Sequence, residues 1–325
     1  MTRRLNLLIL CLLLIFGAPP WYLLIDSNPW SAPARRLDMA EMRRFAAEQP
    51  GDAPLRVEYR QVAWRRVPGN VFAAGSGFKR RLISIMAFRV VYANGSSIMI
   101  ETGTTPQYAR ELGMESFDAA AQASVDTAMR GASAILVTHE HGDHLGGLAR
   151  LAGAPGGGEL LAKARLNRHQ VPAGKTSTGL PWPPGLRADP GLTDAAPQSV
   201  APGVMVVPTP GHTTGSQMIF VRLQNGTEFL FAGDTATMAV SWKEQRPPSR
   251  LVTDFYDPQN RSAVIGWLKA LKRIETENPA LVIVPGHDLD WIEDPRSKVP
   301  MQRMADPPPL AARHQDGASQ NRAGK

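Results

Sequence analysis

The stretch Thr138-His139-Glu140-His141-Gly142-Asp143-His144 packs three imidazoles and, with Glu140 and Asp143, two carboxylates into its last six residues. The whole chain has 325 residues and only seven histidines, so this clustering is a feature and not scatter. His139 and His141 are two apart, and an extended segment points both side chains the same way. Asp143 and His144 follow a glycine and can reach a second position nearby. Neutral imidazole and carboxylate are preferred ligands of zinc and related first-row cations. The pattern therefore predicts two adjacent metal positions. Just upstream, residues 134–138 (AILVT) read as a short apolar strand running straight into the cluster.

Outward from this stretch, three further places repeat the grammar of strand end, glycine and ligand. Pro208-Thr209-Pro210-Gly211-His212 forms a tight turn presenting one imidazole. Phe231-Ala232-Gly233-Asp234-Thr235 ends an apolar run on a carboxylate. Pro285-Gly286-His287-Asp288 closes the apolar run 281–285 on another imidazole. A lone histidine or turn aspartate carries little by itself. Three strand ends that each deliver one group describe a site assembled at one edge of a pair of sheets.

The rest of the chain fits such a pair. From residue 55, Val57, Tyr59, Gln61 and Ala63 alternate with polar neighbours, as in a half-buried strand. Apolar runs at 82–92 and 97–101 flank Asn94-Gly95, a hairpin signal. Residues 117–130 have helical spacing, with Gly131 as a C-terminal cap. Residues 145–151 read as a helix and 153–158 (GAPGGG) as a flexible loop. Residues 172–203, rich in proline and glycine, read as a surface excursion beside the site. Strands follow at 204–208, 217–223 and 228–232, with Asn225-Gly226 turning the last pair, then a helix at 263–274 and a buried strand at 281–285. Two halves of similar pattern predict an α/β (α+β) chain. Its two sheets would pack face to face with helices outside, a four-layer αββα sandwich over residues 55–300. Residues 301–325 are polar, contain a triple proline, and read as a disordered tail.

This series of motifs resembles the metallo-β-lactamase superfamily. Its HxHxDH signature corresponds to His139, His141, Asp143 and His144. Its later GH, GD and GH motifs fall at His212, Asp234 and His287. The resemblance covers roughly residues 55–300. It implies that His139, His141 and His212 hold one metal, that Asp143, His144 and His287 hold a second, and that Asp234 bridges them. It also implies two zinc ions, although iron, manganese or cobalt suit the same donors. A metal-bridging hydroxide would then attack a carbonyl, with Asp143 or Asp234 moving the proton. His169 and His314 match no motif and read as surface residues.

Within the superfamily, β-lactamases lack the bridging aspartate, so Asp234 points away from antibiotic hydrolysis. RNA-processing members carry further motifs that this chain does not. Flavin-linked di-iron members replace the second signature histidine by Glu, where this chain has His141. TPGHTTGS at 209–216 and FAGDT at 231–235 are similar to glyoxalase II-like thioesterases. Those enzymes carry a C-terminal helical domain, and only 38 residues follow His287 here (325 − 287). Tyr256-Asp257-Pro258, a helix with Leu268, Leu271 and Lys272, and VIVPGHD at 282–288 resemble N-acyl-homoserine lactonase-like enzymes. These usually place a tyrosine three positions after the bridging aspartate, where this chain has Thr237. The expectation is a hydrolase opening a small carboxylic ester or lactone, acyl-homoserine-lactone-like. A thioesterase is the alternative, and a non-catalytic metal-binding scaffold the minor one. The 172–203 excursion and Trp182 are candidates for a substrate lid, or an ordinary surface loop.

Residues 5–25 (LNLLILCLLLIFGAPPWYLLI) hold no charge and follow Arg3 and Arg4. A bilayer is crossed by about 20 apolar residues. Pro19 and Pro20 are expected to break the helix near its far end, and Trp21, Tyr22 and Trp30 read as interfacial aromatics. Residues 1–25 thus read as a membrane anchor, or as a signal sequence. A proline directly after Gly17-Ala18 argues against cleavage there. Arg3 and Arg4 favour a cytoplasmic N-terminus, which puts the catalytic domain outside the cytoplasm, on the periplasmic side of a Gram-negative cell. An exported, soluble form is the alternative. Residues 26–54 read as a linker with a helical patch at 38–47. The formal charge is +7, and Arg35, Arg36, Arg43 and Arg44 near the anchor suit anionic headgroups. No stripe interleaves basic and aromatic residues, so no nucleic-acid partner is expected. The single cysteine, Cys11, excludes an intrachain disulfide and a thiolate metal site.

Overall fold

A computed structural model describes residues 2–171, 187, 189 and 191–305. The chain begins with α1 (Arg3–Phe16), α2 (Ala18–Leu24) and α3 (Met39–Ala46). β1 (Arg56–Pro68), the single turn α4 (Gly69–Phe72), β2 (Arg80–Val91) and β3 (Ser97–Ile100) follow. Then come α5 (Pro106–Glu111), β4 (Ser116–Phe117), α6 (Ala119–Gly131), β5 (Ala134–Leu136), α7 (Gly146–Ala152) and α8 (Gly157–Lys163). The second half comprises β6 (Gln198–Ala201), β7 (Val204–Pro208), β8 (Gln217–Arg222), β9 (Glu228–Gly233), α9 (Ala239–Lys243), α10 (Arg261–Glu277), β10 (Val282–Pro285), α11 (Leu289–Glu293) and β11 (Gln302–Arg303).

Two sheets result. One runs β11-β1-β2-β3-β5, with β4 also paired to β1, and the other runs β10-β9-β8-β7-β6. The two-residue period of a strand sorts side chains between layers. Val204, Val206, Ile219, Val221, Phe229 and Phe231 face inward and meet Phe88, Val90, Ile98, Ile100 and Leu136 of the first sheet. Their neighbours Met205, Val207, Met218, Phe220, Leu230 and Ala232 face outward and are covered by Val264, Leu268 and Leu271 of α10. On the opposite side, Met99, Ile135 and Ala87 are covered by Val125 and Met129 of α6 and Leu148 of α7. The layers are therefore helix, sheet, sheet, helix, as the strand grammar predicts. The hairpin at Asn94-Gly95 forms, with Gly95 at φ +83°.

Several expectations change. Residues 26–54 are not a free linker. Leu37, Met39 and Met42 are buried on the outer face of the second sheet, and Arg43 makes a two-pronged contact with Glu228 at 2.7 and 2.8 Å. Met39, Met42 and Ala46 recur at helical spacing, so even this eight-residue helix has one apolar face. That contact also occupies one of the arginines read as facing lipid headgroups.

The expected disordered tail begins too early. Glu58 and Tyr59 pair in parallel register with Gln302 and Arg303, and Met304 is buried. Residues 306–325, including His314, lie outside the described residues, as do residues 172–186, including Trp182.

Helix α6 starts at Ala119 because the Asp118 carboxylate caps Ala121 N–H at 2.8 Å, and Phe117 instead pairs with Ala63. Gly131 is its last helical residue, and Ala132 takes the cap position. Part of the expected flexible loop 153–158 opens α8, which buries Leu160. Pro19 and Pro20 do not end a helix. They lie in the first turn of α2, where proline is tolerated, and the break falls at Gly17.

Candidate metal centre

Each candidate ligand follows a strand end, on the same edge of the sandwich. β5 runs out through Val137 and Thr138 into His139. β9 ends at Gly233 and hands on to Asp234. β10 ends at Pro285, one glycine before His287. Two of these glycines are required by space. Gly233 has φ +52°, and a Cβ there would lie 2.4 Å from Thr138 Oγ1. A Cβ on Gly286 would lie 2.1 Å from Asp234 Oδ1. The glycine before each ligand lets two strand ends approach closely enough to share a site.

All seven predicted residues converge. His212 Nε2 lies 3.1 Å from His139 Nε2 and 3.1 Å from His141 Nδ1. His144 Nε2 lies 3.3 Å from His287 Nε2, and Asp143 Oδ2 lies 3.5 Å from His287 Nε2. Asp234 stands between these groups. Its Oδ2 is 3.8 Å from His212 Nε2 and 3.2 Å from His287 Nε2, and its Oδ1 is 3.7 Å from His144 Nε2. Donor atoms of His139, His141 and His212 lie within 4.8 Å of one another, as do those of Asp143, His144 and His287 and those of His139, His144 and Asp234.

The residues fit a metal. Nitrogens held at about 2.0–2.1 Å around a tetrahedral cation stand about 3.3 Å apart, close to the gaps seen here. Imidazole lone pairs turned toward one another repel unless a proton or a cation lies between them. Asp234 Oδ1 is buried without a hydrogen-bond partner, an acceptor aimed into the same space. The donor set is all imidazole and carboxylate, which suits a divalent first-row cation.

The second nitrogen of each imidazole faces a polar group of the chain. His287 Nδ1 donates to the Ser84 carbonyl at 2.8 Å, which leaves Nε2 free to face inward. His144 Nδ1 lies 3.2 Å from Glu101 Oε1. His139 Nδ1 lies 3.2 Å from Thr138 Oγ1. His141 Nε2 and His212 Nδ1 both face Asp257, at 3.6 and 3.7 Å. Carboxylate and carbonyl partners of this kind fix the ring orientation and raise ligand basicity.

The charges follow from these contacts. Burial and then the neighbouring imidazoles hold His139 well below its ordinary value. Burial also opposes charge on His144, yet the carboxylates of Glu101, Asp143 and Asp234 outweigh it and push the group up to about 10. A cation entering the site displaces that proton. Burial opposes ionisation of Asp234, but His287, His144 and His212 overcome it and hold the carboxyl far below the carboxylate range.

Motif reading alone missed Glu101, Ser84 and Tyr108, and it marked Asp257 in the Tyr256-Asp257-Pro258 stretch without giving it a place at the imidazoles. Glu101 ends the apolar run 97–101 as the ligands end theirs, so its position was a signal. It is buried at φ +64°, uncommon for a residue with a Cβ. Ser84 acts through its backbone and leaves no trace in residue type. Tyr108, on α5, lies against the Gly142 backbone. Burial and then the Asp143 carboxylate hold its phenol above the ordinary range. His169 pairs with Asp194 at 2.7 Å and takes no part in the cluster.

With this geometry in hand, comparison with known proteins is direct. Residues 84–287 match the model of the metallo-beta-lactamase superfamily. The chain belongs to that superfamily, whose fold and His/Asp clusters imply a divalent metal and a metal-dependent hydrolase. Its structure is similar to a quorum-quenching N-acyl homoserine lactone lactonase, with a TM-score of 0.56 at 15% identity over 75% of this chain and 95% of that one. It is similar to an N-acyl homoserine lactone hydrolase solved with N-hexanoyl-L-homoserine at its catalytic metal center, at 0.56 and 15% over 73% and 95%. It is also similar to a probable metal-dependent hydrolase from Staphylococcus aureus, at 0.53 and 14% over 74% and 91%. At such identities the likeness is one of fold. No curated protein matches the chain in sequence.

Proposed function

We propose that this chain is a two-metal hydrolase that opens a carboxylic ester or lactone of a small amphiphilic molecule. The observation that carries this reading is the place of Asp234, within 3.8 Å of His212 on one side and 3.2 Å of His287 on the other. One carboxylate thus serves both imidazole groups. His139, His141 and His212 would hold one cation, zinc by preference, and Asp143, His144 and His287 the other. The bound pair supplies Lewis acidity and an activated water at neutral pH.

The chain's own residues do the rest. Asp257, Glu101 and the Ser84 carbonyl orient the imidazoles. Asp143, partly open to solvent, and Asp234 are placed to pass a proton from the attacking water to the leaving oxygen. The lactonases that share the fold support a lactone as the substrate class. The apolar segment Arg3–Leu24, long enough to cross a membrane, supports a membrane anchor, and Arg3 and Arg4 at its start favour a catalytic domain outside the cytoplasm.

The test is hydrolysis by the full chain of acyl-homoserine lactones of several chain lengths, thioesters, aryl esters, phosphodiesters and a cephalosporin. Lactone or ester turnover, abolished by a chelator and restored by zinc, is expected. Turnover confined to thioesters would move the chain to the thioesterase branch. No turnover on any carbonyl substrate, with metal bound, would sink the reading.

A further inference from the structure

The apolar N-terminal helices do not end in a loose tether. Gly75 N–H donates to the Leu24 carbonyl at 3.1 Å, and the Arg261 guanidinium donates to the Asp26 carbonyl at 2.7 Å. Arg250 reaches the Asp26 carboxylate at 3.2 Å and lies over the Tyr22 ring, 4.5 Å from its centroid. Both members of that ion pair are largely shielded from solvent, at 18% and 16% exposure. The loop that holds Leu24 is itself bound to the chain before Arg250, through Ala74 N–H to Pro247 C=O and Ser249 N–H to Val71 C=O.

The segment holding the helix end also leads into the metal centre. After Arg250 comes one wide helical turn, Val252–Tyr256, and the next residue is Asp257, which faces His141 and His212. Phe255 and Tyr256 on this turn are 69% and 78% exposed. Beyond residue 25, the exposed large apolar side chains among the described residues are Trp30, Leu55, Phe78, Phe255 and Tyr256. Four of these five are aromatic. Trp30 follows Asp26 closely, Phe78 lies three residues after Gly75, and the other two lie on the turn after Arg250. Singly exposed apolar residues need no explanation, but aromatics gathered around one end of an apolar helix do.

At the opposite pole the one exposed large apolar side chain among the described residues is Leu55, whose N–H donates to the Val91 carbonyl. β2 leaves Phe78 at Arg80 and reaches Val91 about 37 Å away, at about 3.4 Å per residue. There the hairpin at Asn94 turns it back. Ser84, which holds His287, lies nearer the Arg80 end of that strand.

We propose that the catalytic domain is docked on the bilayer that holds Arg3–Leu24, with Trp30, Phe78, Phe255 and Tyr256 seated in the interface. The metal centre opens beside this surface. Its substrate is therefore an amphiphile whose acyl chain stays in the membrane while its ester or lactone head reaches the site. The choice of lipid as occupant follows from continuity. Each of these aromatics lies within six residues of a contact that holds the end of a wholly unburied apolar helix pair about 33 Å long, the thickness of a hydrocarbon core. Aromatic rings favour the boundary between headgroups and acyl chains, and Lys79 and Arg80 beside Phe78 suit anionic headgroups. The substrate half rests on the proposed hydrolase activity, and the docking half does not.

Depth-dependent fluorescence quenching tests the docking. Full-length protein carrying Cys11→Ser receives one new cysteine by Phe78→Cys, Phe255→Cys or Asn94→Cys, all exposed positions. Each is labelled with an environment-sensitive dye and reconstituted in phosphatidylcholine–phosphatidylglycerol vesicles with or without brominated acyl chains. Blue-shifted emission and strong bromolipid quenching at 78 and 255, absent at 94, are expected. Equal quenching at all three positions would overturn the docking. Energy transfer between differently labelled copies without bromolipid quenching would also overturn it and assign the patch to a dimer. Turnover of long- and short-chain acyl lactones is then measured in the same vesicles. Docking without any turnover would refute the hydrolase reading alone, and lactone turnover without quenching would refute the docking alone.

Discussion

At the scale of a residue, a histidine ligand depends as much on the nitrogen that faces away from the metal as on the one that faces it. In this centre Asp257 is shared, reaching His141 Nε2 at 3.6 Å and His212 Nδ1 at 3.7 Å. His212 is nearly fully buried, and its Nδ1 has no hydrogen-bond partner, so this carboxylate is the charge that orients it. Asp257→Asn keeps the shape and removes the charge. Loss of such a partner commonly lowers metal affinity about 10–100-fold, and that is the fall expected here. Competition with a chelator of known affinity measures it, and circular dichroism confirms the fold. An unchanged affinity would mean that the two rings are held in place by packing alone. Glu101 stands in the same relation to His144, and Ser84 to His287. Asp234 differs in kind, because its carboxylate points into the space the imidazoles enclose.

At the scale of elements, the site exists because β9 and β10 run parallel and end side by side. Phe231 pairs with Val284, and after a one-residue shift Gly233 pairs with Pro285. Gly286 then passes over the Asp234 carboxylate with no room for a methyl group. Gly286→Ala should displace Asp234 and lower the metal bound per chain, measured by elemental analysis after dialysis. A full metal complement in that variant would show that the strand ends can separate without cost. This crowding also explains what could be read from the sequence. The runs that lead to the candidate ligands are apolar, three of them reach their residue through a glycine and one carries the clustered histidines, so the seven candidate ligands and the two-sheet architecture were legible there. The elements that escaped notice were short or amphipathic in polar company. α3 was legible as a helical patch at 38–47, but the three buried residues that dock it on the sheet were not. α8 begins in a run of glycines. β11 is two residues long and gains its place only by pairing with β1. Glu101 and Asp257 act across elements, 43 and 45 residues from the imidazoles they hold (144 − 101 and 257 − 212), and no local pattern joins them to those rings.

At the scale of the molecule, α3 ties the anchor side of the chain to the sheet that carries His212, Asp234 and His287. It packs on β7 and β8, in one cluster with Met205 and Phe220 on the outer face of that sheet. Arg43 closes the contact on Glu228, at the start of β9, and on the Asn278 side chain just after α10. A soluble fragment beginning at residue 50 would look complete by the motif pattern, yet it removes this cover. Leu37, Met39 and Met42 are each at most 6% exposed. Burying one side chain of this size stabilises a fold by about 1.5–3 kcal/mol, so the loss is several kcal/mol, a large part of what an ordinary domain has. A fragment beginning at residue 27 keeps all three side chains and the Arg43 contact. Chemical denaturation of the two fragments, each with saturating zinc, should give a clearly lower midpoint for the shorter one. Because α3 and α10 cover the same face of the sheet that positions three of the seven candidate ligands, the shorter fragment should also bind metal more weakly. Equal midpoints would show that residues 27–49 rest on the domain without stabilising it.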